Sequence, residues 1–215
     1  MPLFDCRDDD ARDDGIMTAH QAVLEGDLIV FPTDTVYGLA ADAFNVDAVQ
    51  KLLDAKGRGR NMPPPVLIGS PATLDALAID VQPWLRAVVD EFWPGPLTVI
   101  CRQQPSLTWD LGETHQTVAV RVPDHAVARE VLDRTGPLAV SSANTTGAPA
   151  AQTIEEAQSM LGDSVKVYLD GGPVDSGVPS TILDATGATP RIVRAGSITL
   201  EQLHAFNNTI VGADD

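Results

Sequence analysis

An α/β fold, a twisted mixed sheet with flanking helices, is predicted by three features of this sequence. Short apolar runs alternate with longer amphipathic stretches along most of the chain. The apolar runs end at Pro, Gly, or Ser/Thr clusters, as strands do. No repeat, low-complexity linker or domain break interrupts the alternation, so 215 residues read as one large domain.

In chain order, residues 1–15 (MPLFDCRDDDARDDG) predict an acidic, mobile leader with at most a short edge strand. Residues 18–25 predict a helix stopped by Gly26, and 28–31 an apolar strand ended by Pro32. Residues 46–55 predict a helix with Asn45 as N-cap and Gly57 just past its end. A strand at 66–68 leads to Ser70-Pro71, which suits a helix start. A helix over 83–92 precedes a strand at 97–101. Residues 118–122 predict a strand, Asp124 caps a helix that Gly136 ends, and 138–140 form another strand. Thr153 and Glu156 have capping-box spacing ahead of a helix ending near Gly162. Residues 165–169, 181–183 and 191–194 read as strands, and Thr199 with Gln202 form a second capping box before the last helix.

Hydrophobic residues make up 44% of the chain, enough for a core. No apolar run approaches the roughly 18–20 residues that span a bilayer. The acidic start is unlike a signal peptide, so the expectation is a soluble, cytoplasmic protein away from membranes. Two cysteines, Cys6 and Cys101, make neither a disulfide framework nor a metal site. The net charge of −16 repels nucleic acid at long range and argues against stable nucleic-acid binding. What informs is where the 14 Lys and Arg lie.

Five segments gather polar chemistry at strand ends, where ligands bind in open α/β sheets. In FPTDTVYGLAADA (31–43), Thr33 and Thr35 follow a buried strand; they suit either a substrate contact or a turn closed by its own side chains. KGRGRNMPPP (56–65) packs Lys56, Arg58 and Arg60 beside glycines, which suits a polyphosphate, although the Walker spacing is absent. FWPGPLTVI (92–100) reads as a rigid turn that shapes a pocket wall. In the fourth segment, Arg121 sits in an apolar strand and needs an anionic partner. Nearby, Ser141, Ser142 and Asn144 follow another strand. No GxSxG elbow surrounds these serines, and His20, His115, His125 and His204 suggest no Ser-His-Asp triad. In the fifth, Ser180, Thr181 and Arg194 flank strand ends; a salt bridge to a carboxylate is the plainer role for Arg194.

Together, PTDTVYGLAADA, KGRGR, FWPGPLT, VAVRVP, SSANTTG, PSTILD and VRAGSI resemble the YrdC-like family of L-threonylcarbamoyladenylate synthases, in its short, single-domain form. The resemblance runs in order over residues 16–206, leaving 1–15 as leader and 207–215 as C-terminal tail. It implies a sheet folded around a deep basic cavity, and an enzyme, a nucleotidyltransferase. The implied reaction forms threonylcarbamoyl-AMP and pyrophosphate from L-threonine, bicarbonate and ATP, for tRNA modification by a downstream threonylcarbamoyl transferase. It implies that Thr35, Arg121, Val140 and Ser180 contact L-threonine. It implies that Lys56, Arg58, Thr117, Ser142, Asn144, Ala150 and Arg194 contact ATP. No protein nucleophile and no protein metal ligand are implied. Lys56, Arg58 and Arg121 would act by positioning and charge stabilisation, and Mg²⁺ would come with ATP.

The sequence departs from the family pattern at Gly59 and Ser141 (each proline there), Leu67 (histidine in some members), Pro179 (glutamate) and Ala195 (proline). A paralogue of the same fold that binds a nucleotide or RNA without synthase activity is the alternative. A carbamoyl-transfer domain is the third reading, disfavoured because the extra regions of such larger chains are missing here.

Overall fold

The computed structural model describes residues 1–174 and 177–213. In chain order the elements are β1 (Leu3–Asp5), α1 (Asp9–Leu24), β2 (Ile29–Phe31), β3 (Gly38–Asp42), α2 (Val46–Lys56) and β4 (Val66–Leu67). A 3-10 turn (Pro71–Thr73) runs into α3 (Leu74–Leu77), followed by β5 (Ala78–Ile79), α4 (Pro83–Phe92), β6 (Leu97–Gln103), β7 (Thr117–Arg121) and α5 (Ala126–Thr135). The chain closes with β8 (Leu138–Ser142), α6 (Ile154–Leu161), β9 (Val167–Asp170), β10 (Thr181–Asp184), β11 (Arg191–Arg194) and α7 (Leu200–His204).

The strands form one open, twisted sheet in the order β1-β9-β2-β3-β8-β4-β7-β6-β10-β11, with β5 beside β6. Parallel pairs (β1·β9, β2·β9, β4·β7, β6·β10) occur beside antiparallel ones, so the sheet is mixed as expected.

The period-2 alternation of strand side chains decides which helices cover which face. In β2, Ile29 and Phe31 pack under α1 and α5, while Val30 and the preceding Leu28 pack under α2 and α6. Strand β9 divides likewise, with Val167 and Leu169 on one side and Tyr168 on the other. In the other half of the sheet only one face carries a helical layer. There Leu97, Val99, Cys101, Val118 and Val120 pack on Leu85, Val88 and Val89 of α4 and Leu203 of α7. The opposite positions of the same strands (Thr98, Ile100, Thr117, Ala119 and Arg121), all but Ile100 small, polar or charged, face a cavity.

Several expectations are corrected. Residues 1–15 do not form a mobile leader. Leu3–Asp5 pair in parallel with Tyr168–Asp170, and Asp8 caps α1 by accepting from Ala11 N–H. The acidic run reads as solvated because Asp9 and Asp10 lie in the first helical turn, where the helix dipole favours them. Residues 207–213 also join the fold: Ile210 is buried in the core and Val211 bridges Arg191. Strands β3 and β5 escaped the reading. The N-cap of α5 is His125, not Asp124, whose N–H instead donates to Asp34 Oδ1. Thr153 caps α6, but Glu156 accepts from Gln152 N–H, so the box there is open; at Thr199 and Gln202 it is closed. Gly57 ends α2 with φ +62°, the left-handed conformation that glycine takes without strain.

Candidate active site

A cavity of about 600 Å³ opens on the uncovered face. Its walls come from β6, β7, β8 and the β10–β11 region, with Pro63, Pro64 and Pro65 from the loop after α2. Three arginines line it: Arg58, Arg121 and Arg194; among the described residues no carboxylate and no histidine does. Thr35, Thr117, Val140, Ser142, Asn144, Ala150 and Ser180 also line it. Of the residues that the family resemblance assigns to L-threonine or ATP, Lys56 alone is not on this wall.

Arg121 is buried, with 6% of its surface exposed. Its Nη2 donates to Asp34 Oδ1 at 2.6 Å, its Nη1 to Thr35 Oγ1 at 3.0 Å and its Nε to the Gly95 carbonyl at 3.0 Å. Burial pulls its pKa down, and the Asp34 carboxylate opposes that. Such a pair is held because losing either charge strands the other, at about 3–5 kcal/mol. Two of the five guanidinium N–H groups remain for a ligand. The expectation of an anionic partner for Arg121 is met by Asp34, a residue the sequence reading did not single out.

The turn alternative is realised by Thr33, whereas Thr35 faces the cavity. Thr33 Oγ1 accepts from Thr35 and Val36 N–H and donates to the Val36 carbonyl, closing the turn. Thr35 turns its hydroxyl to Arg121. Tyr37 is fully buried and donates to the Gly172 carbonyl and Asp170, so it is structural.

The KGRGR cluster separates into three roles. Arg58 reaches the cavity, with Nη1 on Ser141 Oγ at 3.0 Å and a buried Nε that has no protein partner. Lys56 lies behind the wall and donates to the Ser142 and Asn144 carbonyls and to Asn144 Oδ1 at 2.5–3.2 Å. It thereby holds the end of β8 in shape. Burial, then the charge of Arg58, brings its pKa down to about 8. Arg60 points elsewhere and pairs with Asp110 at 2.5 Å on the surface, so it is not part of the cation cluster facing the cavity.

Among the described residues Arg194 has no salt bridge to a carboxylate, the plainer role read from the sequence. Its Nε and Nη2 both donate to the Ser180 carbonyl, and Nη2 also to Ser180 Oγ. Burial lowers its pKa, and Arg121 and Arg58 lower it further, so the three cations share one electrostatic field. The Trp93–Gly95 turn does not itself line the cavity: Trp93 Nε1 donates to Leu97 O, Gly95 O holds Arg121, and the wall residues of this segment are Thr98 and Ile100.

Cys6 and Cys101 are buried, and burial raises both thiols to about 12, so neither supplies a thiolate at neutral pH. Among the described residues no group of three or more His, Cys, Asp or Glu could hold a metal ion. No helix there is long and apolar enough to cross a membrane.

A cationic cavity of this composition on the open face of a mixed sheet can be placed among known proteins. Residues 21–196 match the Sua5/YciO/YrdC family, described as "Telomere recombination". The chain belongs to that family. It is 50% identical over 200 residues to a putative threonylcarbamoyl-AMP synthase of Mycobacterium tuberculosis, covering 93% of this chain and 92% of that one. It is 37% identical to the threonylcarbamoyl-AMP synthase of Bacillus subtilis, over 90% of this chain and 57% of the relative. Among solved structures, Sua5 of P. abyssi complexed with L-threonine superposes with a TM-score of 0.87 at 32% identity. That match covers 92% of this chain and 58% of the Sua5 chain, so this family member spans under two thirds of the solved one.

Proposed function

We propose that this protein forms threonylcarbamoyl-AMP and pyrophosphate from L-threonine, bicarbonate and ATP. The observation that carries the proposal is the cavity itself: three arginines converge on it, and Asp34 is the one carboxylate paired with any of them by a salt bridge among the described residues. Uncompensated guanidinium charge in a half-buried site calls for a polyanionic ligand. The naming of a relative at 50% identity and the L-threonine bound by Sua5 support L-threonine as substrate and an adenylate as product.

On this reading the amine of threonine captures CO₂ with loss of a proton, or bicarbonate with loss of water, to give a carbamate. A carbamate oxygen attacks the α-phosphorus of ATP, the bond to the β-phosphate oxygen breaks, and pyrophosphate leaves. On this reading no cavity residue acts as a nucleophile. Rate therefore comes from positioning and from fixed charge facing the developing negative charge. Arg121, pinned by Asp34, Gly95 and Thr35, is the rigid cation for the threonine end, with Val140 and Ser180 beside it. Arg58 and Arg194, with Thr117, Ser142, Asn144 and Ala150, form the nucleotide end. Lys56 supports that end through the Ser142 and Asn144 carbonyls instead of touching phosphate. Mg²⁺ enters as part of the ATP complex, since the cavity offers it no carboxylate. The product goes to a threonylcarbamoyl transferase acting on tRNA, and we place the reaction in the cytoplasm.

Pyrophosphate release by the purified protein with Mg·ATP tests the proposal. Release should require both L-threonine and bicarbonate. Release indifferent to threonine, or none from folded protein, would favour a paralogue that only binds nucleotide.

A further inference from the structure

The FWPGPLT segment contributes more than a wall. Thr98, at the start of β6, is 2% exposed and lines the cavity. The register pairs Val99 with Val120, so Thr98 lies one step further along, next to Arg121 on the neighbouring strand. On its other side Thr98 pairs with Ile182 of β10. Its Oγ1 lies 2.8 Å from Ser180 Oγ.

Counting donors and acceptors fixes what this pair can do. Ser180 Oγ already accepts from Arg194 Nη2 at 2.9 Å. If Thr98 donates to Ser180, both serine lone pairs are used and the serine proton is free. If Ser180 donates to Thr98, the threonine proton is free. In either direction one O–H proton is left over, and among the described residues no acceptor takes it. The Arg194 guanidinium sits at the head of this chain and polarises it, which strengthens the terminal donor.

We propose that Thr98 is a specificity-determining residue, which with Ser180 presents one O–H donor to an oxygen of the amino-acid substrate. The assignment rests on the synthase reading given above. It places a directed neutral donor beside the fixed cation Arg121, so a ligand is recognised by an oxygen set against both. An isosteric ligand without an acceptor there would leave a buried hydroxyl unpaired, which costs affinity.

Thr98→Val keeps the β-branched shape and the strand while removing the hydroxyl; Thr98→Ser restores it. The measurements are threonine- and ATP-dependent pyrophosphate release, and calorimetric binding of L-threonine without ATP. For Thr98→Val, KM and Kd for threonine should rise about three- to tenfold, the scale of one neutral hydrogen bond. KM for ATP should stay within about twofold, and Thr98→Ser should behave as the wild type. Unchanged threonine affinity in Thr98→Val overturns the proposal. So does an equal rise in both KM values with a lowered melting temperature, which marks a wall residue only. A wild-type protein that neither binds threonine nor releases pyrophosphate with it overturns the synthase reading itself, and this inference with it.

Discussion

Lys56 shows how a single residue can be conspicuous in sequence and yet do a different job from the one its neighbours suggest. Its ammonium is 3% exposed and meets three oxygens, two of them backbone carbonyls at the end of β8. Burial outweighs those contacts and brings the pKa to about 8, from 10.5 for a free lysine. The unfolded chain therefore keeps a proton between pH 8 and 10.5 that the folded protein has lost. Stability gained from Lys56 then rises with pH across that window, by up to about 1.4 kcal/mol per pH unit. Urea unfolding of wild type and Lys56→Met from pH 8 to 10 should show the steeper rise in the wild type. Parallel curves would mean that the three oxygens hold the ammonium at its ordinary pKa. The same residue scale explains what was legible. Arg58, Arg121 and Arg194 stood out because cations are few in a chain of net charge −16. Asp34 did not, as one of 30 Asp and Glu, and only the fold brings it to Arg121. Thr98 was read as wall because its partner Ser180 is 82 residues away and their meeting depends on strand register.

At the scale of elements, strands were legible where both faces are apolar or flanked by Pro and Gly, as in β2, β6 and β7. Strand β3 was not: Gly38–Asp42 carries glycine and two alanines, weak strand formers, and pairs on both sides only because β2 and β8 flank it. Strand β1 was legible only as a short edge strand in an acidic leader, without bounds or partner, because its pattern is three residues long and β9 is distant in sequence. The turn after β11 shows how tightly an element can set the site. A Cβ built on Gly196 would lie 2.4 Å from the Pro179 carbonyl oxygen and from Thr181 N, and 2.6 Å from Ser180 C. All three are backbone atoms and cannot rotate away. Gly196→Ala should therefore push the Ser180 strand end outward, with a stability loss of about 1–3 kcal/mol. It should also raise KM for threonine, because Ser180 carries both the Arg194 contact and the Thr98 contact. Thermal unfolding and threonine titration check both halves. An unchanged melting point with normal KM would show that the 195–197 turn moves aside without cost.

For the whole molecule, charge sets two opposing fields on an incoming Mg·ATP. The net −16 repels it over long distance, while Arg58, Arg121 and Arg194 attract it at contact. Salt separates these by range. The screening length is about 30 Å at 0.01 M and about 10 Å at 0.1 M. Surface carboxylates act across the molecule and are screened first; a guanidinium touching a phosphate in a half-buried cavity is screened much less. Raising NaCl from about 10 mM to 150 mM should therefore increase kcat/KM for ATP at saturating threonine. A basic groove for nucleic acid behaves in the opposite way, since counterion release makes its binding fall steeply over the same range. A fall in kcat/KM would mean that the arginines govern the encounter as well as the bound state. The same titration followed with tRNA should show no complex at any of these salt concentrations, because the net charge is −16 and the cation cluster of Arg58, Arg121 and Arg194 lies in a cavity of about 600 Å³ that a folded duplex cannot enter.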